Sequence, residues 1–163
     1  MIDIEQRLRE LQIVLPVPAT GVASYLPYVE DSGLVFVSGQ LPFRSGEVAI
    51  TGRLGADLDI EQGQLAARLC AINVLAQLKQ ACKGDLNRID RIVRLGGFVA
   101  SIETFTAQSV VMNAASDLMV AVFGDRGTHA RAAIATPVLP LNAAVEVDAV
   151  VRVRPPFTTD PKQ

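Results

Sequence analysis

Residues 129–153 read HARAAIATPVLPLNAAVEVDAVVRV. β-Branched residues alternate with others on both sides of Pro137-Val138-Leu139-Pro140-Leu141-Asn142, so the stretch reads as two β-strands joined by a Pro-rich turn. One charge stands out on each arm. Reflection about the middle of the turn, near residue 139, sets a residue between 145 and 149 opposite Arg131 and predicts Glu146 as its near neighbour. An Arg and a Glu on otherwise apolar strands are costly to bury unless paired or put to use. The plainest reading is a partly exposed cross-strand ion pair, stabilising by roughly a few tenths of a kcal/mol or more.

Upstream of this hairpin, residues 106–123 carry Val111, Ala115, Leu118 and Val122 on one helical stripe, with Gly124 at the end. Residues 91–101 read as a strand interrupted by Gly96-Gly97, a bulge or a close approach of backbones. Residues 60–82 form the most regular helical pattern, with Leu65, Leu69, Ile72, Ala76 and Leu78 at helical spacing, Asp59 as N-cap and Gly84 beyond the C-terminus. Leu34–Gln40 reads as a buried strand closed by Pro42 and Ser45-Gly46, 48–51 as a returning strand, and 22–29 as an extended edge segment bent at Pro27. Ile4, Leu8 and Leu11 make a short amphipathic helix of residues 3–11. The organisation is therefore an N-terminal helix and linker (1–20), one domain (21–154) and a loose tail (155–163). Two long helices on one face of a mixed sheet define an α+β plan.

Half of the residues are apolar and the mean hydropathy is positive, rich for a monomer of 163 residues, which predicts a subunit interface on the sheet's other face. A net charge of −2 with no basic block gives a nucleic-acid partner no electrostatic support. No apolar run reaches the ~20 residues of a membrane span. The first eleven residues mix acids and bases, unlike a signal peptide, and a cytoplasmic location is expected. Cys70 and Cys82 lie twelve residues apart on one predicted helix, about 18 Å, and read as reduced core residues.

His129 is the sole histidine, so a metal site would lean on carboxylates and cysteines that show no ligand spacing. G-x-S-x-G, the P-loop and G-x-G-x-x-G are absent, and His129 reads as a loop residue at a strand mouth rather than a base. No cofactor is expected.

Two stretches carry a family resemblance. Arg131-Ala-Ala-Ile-Ala-Thr-Pro-Val-Leu-Pro-Leu-Asn-Ala-Ala-Val-Glu146-Val-Asp-Ala-Val resembles the C-terminal signature of the Rid (YjgF) proteins, the reactive enamine/imine deaminase family also known under an endoribonuclease L-PSP label. There an Arg precedes a strand, a Leu-Pro turn follows, and an acidic strand ends the domain. Phe36-Val-Ser-Gly-Gln-Leu-Pro42 is similar to the family's S-G-Q-(I/L)-P, and Tyr25 precedes Ser38 at the spacing of the family's active-site Tyr. The resemblance covers most of residues 20–153. It implies a chorismate-mutase-like (YjgF-type) fold, a homotrimer with sites between subunits, and hydrolysis of 2-aminoacrylate-type imino acids to a 2-keto acid and ammonia. By matched position Arg131 holds the substrate carboxylate and Glu146 positions the attacking water. Tyr25 and Ser38 line the pocket, the Gly39 backbone contacts the substrate, and Asn113 stands for the family's helix Asn. The family's Ser or Thr after the Arg, and its frequent Cys one further on, are replaced by Ala132 and Ala133, the latter still placed at the pocket wall. His129 stands where Pro is common and is a further candidate.

The chemistry suits these residue types. A planar Arg fork matches a carboxylate, and an electrophilic imine carbon needs only a held water and an acid-base group. A Glu beside Arg⁺ is expected to stay ionised. Alternatives are a carboxylate-binding homologue without turnover and, less favoured by the acidic composition, a ribonuclease.

Overall fold

The computed structural model describes residues 3–18 and 25–155. Asp3 caps helix α1 (Ile4–Glu10) by accepting from the Glu5 amide, and the helix buries Ile4 and Leu8. Its outer side is tied down by the 2.9 Å Lys79–Glu5 ion pair and by Arg7 Nε donating to the Ala121 carbonyl at 2.8 Å. Strand β1 (Tyr28–Asp31) turns at Ser32-Gly33, both at positive φ, into β2 (Leu34–Gln40). The returning strand expected at 48–51 is shorter. β3 (Phe43–Arg44) pairs with β4 (Glu47–Val48), and Thr51 makes only a single bridge to Ala143. The expected extended segment falls partly at 22–24, and the loose tail mostly at 156–163, both outside the described residues.

Helix α2 (Ile60–Ala81) opens with a capping box in which the Asp59 side chain accepts from the Gln62 amide and the Gln62 side chain from the Asp59 amide, an arrangement worth about 1 kcal/mol. Its buried face differs from the predicted stripe. Leu65 is 55% exposed and Leu69 and Ile72 are half-buried, whereas Ala66, Ala67, Cys70, Ala71, Val74, Leu75 and Leu78 are buried. The face is Ala-rich, so the helix can sit close to the sheet and its neighbouring helix, and small residues give a weak sequence stripe. Strand β5 (Ile89–Ala100) leads to α3 (Gln108–Phe123), which buries Val111, Ala115, Leu118 and Val122 as predicted. Then follow β6 (Ala130–Thr136) and β7 (Val145–Val153). Cys70 and Cys82 are buried, free thiols.

The sheet order is β1-β2-β7-β5-β6, with β5 and β6 parallel and the other pairs antiparallel. The predicted hairpin is therefore not formed. β5 lies between its two arms, pairing Leu95 with Arg131 on one side and with Ala149 on the other. The reason is the β5-α3-β6 crossover: a strand, a helix and a second strand in series dock in parallel, so β7 can reach β5 only along its other edge. The Pro-rich stretch spans the end of β5, where the Ala100 amide donates to Ala144 O at 2.9 Å and the Ser101 amide to Thr136 O at 3.0 Å. Leu141 and Asn142, both at positive φ, turn the chain there.

α2 and α3 pack side by side on one face, α2 over β2 and β7, α3 over β5 and β6. Among the described residues no layer covers the opposite face. It presents Phe36, 44% exposed, and Ile134, 51% exposed, around the 2.9 Å ion pair of Arg94 Nη1 with Asp148. Gly96 and Gly97 form no bulge: a Cβ at Gly96 would strike the Asp148 carboxylate and one at Gly97 the Met112 side chain, so the pair marks close approach on both faces.

Candidate functional site

Arg131 is the second residue of β6, an edge strand, and its partner Leu95 is fully buried beneath the helices. Its side chain therefore rises on the helix-bearing face and meets α3. Nη1 donates to Asn113 Oδ1 at 3.1 Å and to Ser116 Oγ at 3.0 Å, and Nη2 donates to the Ser109 carbonyl at 3.2 Å. Among the described residues no carboxylate lies in ion-pair contact with it. Of five N–H donors, three are used. The two left, the Nε–H and one Nη2–H, have no partner among the described residues and are of the kind that grips a carboxylate. Ser116 Oγ in turn lies 3.0 Å from His129 Nε2, and His129 Nδ1 lies 2.6 Å from the Gly127 carbonyl. Ala133, two residues along β6, faces the same side opposite Gly97.

Glu146 lies elsewhere. It pairs with Phe98, three residues along β5 from Leu95, and so projects from the uncovered face. Two strand widths and three residues separate its Cα from that of Arg131 by about 14 Å. The predicted cross-strand ion pair is absent, because β5 intervenes and the side chains leave opposite faces. The expected help of Arg131 in keeping Glu146 ionised falls with it: burial, then the nearby Asp148 carboxylate, pushes the Glu146 pKa upward. This half-buried carboxylate reaches Gly39, where a Cβ would coincide with it. The register of β2 on β7 shifts between Val37 and Gln40, so Ser38-Gly39 bulges toward it. Gln40 Nε2 steadies the bulge by donating to the Ser38 carbonyl at 3.0 Å, and Asn73 Nδ2 holds the next turn through Leu41 O at 2.9 Å and Phe43 O at 3.1 Å. Ser38 Oγ donates to Leu26 O at 2.7 Å, which sets the exposed Tyr25 beside the same bulge.

The candidates thus form two groups: Arg131, Asn113, Ala133 and His129 on the helix side of one sheet edge, and Glu146, Gly39, Ser38 and Tyr25 on the uncovered side. Ser109 and Ser116 were not singled out from the sequence. Their signal is the spacing of Ser109, Asn113 and Ser116, four and three residues apart, which draws a polar stripe on a helix whose other faces are apolar.

A mixed five-stranded sheet carrying two long helices on one face, with the glycine bulge on β2 and the Arg on the edge strand β6, defines the chorismate-mutase-like α+β class. Residues 5–152 match the family described as YjgF/chorismate mutase-like, which carries an endoribonuclease label, and the chain belongs to that family. It is 47% identical to Protein TCP17 of Trypanosoma cruzi over 149 residues, 91% of this chain and 92% of TCP17. The crystal structure of Atu1372 from Agrobacterium tumefaciens is 48% identical, covers 94% of both chains and superposes with a TM-score of 0.88. A family structure from Shewanella oneidensis is 36% identical, with a TM-score of 0.90 over 93% of this chain and all of that one. Among the described residues no helix is long and apolar enough to cross a membrane.

Proposed function

We propose that the protein hydrolyses small 2-imino acids to 2-keto acids and ammonia in a site completed by two subunits of a homotrimer. The observation that carries the reading is Arg131: a guanidinium fixed by neutral acceptors, in ion-pair contact with no carboxylate among the described residues, with the Nε–H and one Nη2–H still available. Such a group binds a carboxylate anion strongly. Glu146 supplies the second function. Its upward-shifted pKa makes it a better proton acceptor than an ordinary carboxylate while leaving it ionisable. Because Arg131 and Glu146 leave opposite faces, one substrate of a few heavy atoms is reached by both only if they belong to different copies. The uncovered sheet face with Phe36 and Ile134 is the surface on which copies would meet.

In this site the carboxylate of the imino acid rests on the Nε/Nη2 edge of Arg131, and a water stands between Glu146 and the imine carbon. The water oxygen bonds to that carbon while Glu146 takes its proton and passes it to the imine nitrogen, which receives the C=N π electrons. The carbinolamine then collapses: Glu146, ionised again, takes the hydroxyl proton and hands it to the amino nitrogen as the C–N bond breaks, the C=O forms and ammonia leaves. Imino acid and water become 2-keto acid and ammonia with no redox change. Enamine substrates enter after tautomerising to the imine.

The test generates imino acids in situ with an amino-acid oxidase and competes hydrolysis against semicarbazide. The wild type is expected to divert imine from the trap and Arg131→Ala to leave it untouched. Failure of the wild type across several amino acids, with 2-keto acids still bound, would instead support a carboxylate binder.

A further inference from the structure

We infer that Ser116 and His129 are positioning residues that set the orientation of the Arg131 guanidinium, an inference that rests on the reading of Arg131 as the carboxylate anchor. The fixed end of the hydrogen-bonded chain is Gly127. Its carbonyl can only accept, so at 2.6 Å the Nδ1 of His129 must carry a hydrogen. In the neutral ring Nε2 is then a bare acceptor, and the Ser116 hydroxyl 3.0 Å away donates to it. With its own hydrogen committed, Ser116 Oγ turns its lone pairs to Arg131 Nη1 at 3.0 Å. The result is a directed chain from Arg131 through Ser116 and His129 to the Gly127 backbone. Without it, Nη1 keeps only the exposed Asn113 contact, and the guanidinium is held by that bond and the Nη2 bond to the Ser109 carbonyl alone. Gly127 is itself fixed, since a Cβ there would strike the α3 backbone at Met119 and Val120. The chain thus ties the anchor's edge strand to α3 through the turn that follows the helix.

The sequence holds a single histidine, so uniform ¹⁵N-histidine labelling reports one imidazole. The Nδ1–H tautomer, the reverse of the preference of a free histidine side chain, is expected in the wild type, and Ser116→Ala should shift the Nε2 resonance. A ring held as Nε2–H would overturn the chain. The second arm measures 2-oxobutanoate binding by calorimetry. Ser116→Ala and His129→Phe should each weaken it about five-fold, the size of one lost neutral hydrogen bond. The double variant should bind no more weakly than Ser116→Ala alone, because the two act in series. His129→Gln, which restores an acceptor near the Nε2 position, should recover most of the loss. Multiplying losses, full binding by both single variants, or Gln no better than Phe would overturn the inference. Binding lost in Arg131→Ala but intact in Ser116→Ala would overturn it while leaving the anchor reading in place. No binding by the wild type would remove both.

Discussion

At Arg131 the structure separates two demands that one guanidinium must meet. Nη1 and one Nη2 donor fix it to α3, and the proposed ligand would take the Nε–H and the other Nη2 donor. Arg131→Lys keeps the charge but loses the fork, so 2-keto acid binding should fall by about ten-fold or more in calorimetry. Glu146 makes the opposite kind of prediction. Burial and Asp148 raise its pKa, so the folded protein holds that proton more tightly than the unfolded chain does. Its contribution to stability is full below the unfolded value near ~4.3 and is lost as pH rises through the raised folded value. Glu146→Gln, neutral throughout, should therefore melt higher than the wild type at pH 7. The gap should close on acidification below the ordinary carboxylate range, as scanning calorimetry would show. The same substitution removes the proton acceptor and should lower imine hydrolysis by about 10²-fold or more. Arg131 and Glu146 were legible as chemistry-bearing residues, since each interrupts an apolar strand. Their partners were not, because pairing depends on which strand lies between them.

The decisive elements are the β5-α3-β6 crossover and the Ser38-Gly39 bulge. Alternation alone reported two strands in 129–153, and both formed, but it cannot tell a hairpin from two strands flanking a third. The clue lay upstream: strand, helix and strand in series from 89 to 136 call for a parallel crossover, and the eight residues between Thr136 and Val145 exceed a tight turn. The α3 stripe was readable because most of its buried residues are large, while α2 misled because Gly, Ala and Cys make up much of its contact face. Glycine contacts give sharp tests here. Gly127→Ala drives a Cβ into the α3 backbone, which cannot swing aside as a side chain can, and should destabilise by about 3 kcal/mol in denaturant titration. Gly39→Ala displaces the Glu146 carboxylate instead and should cost activity far more than stability.

For the molecule as a whole, composition predicts more apolar surface than one chain covers, and the sheet face left uncovered by the described residues presents part of it through Phe36 and Ile134. The opposed directions of Arg131 and Glu146 could not be read from 15 residues of spacing, since face depends on register. They lead to the central claim, that one site draws its anchor and its base from different subunits. Mixing two inactive variants tests it most directly. Arg131→Ala and Glu146→Gln proteins, each without imine hydrolysis alone, are combined in equal amounts and allowed to exchange subunits. Shared sites predict recovery of about a quarter of wild-type activity, the fraction in which an intact Arg131 faces an intact Glu146. No recovery, in mixtures shown by mass spectrometry to contain both chains in one oligomer, would contradict the account.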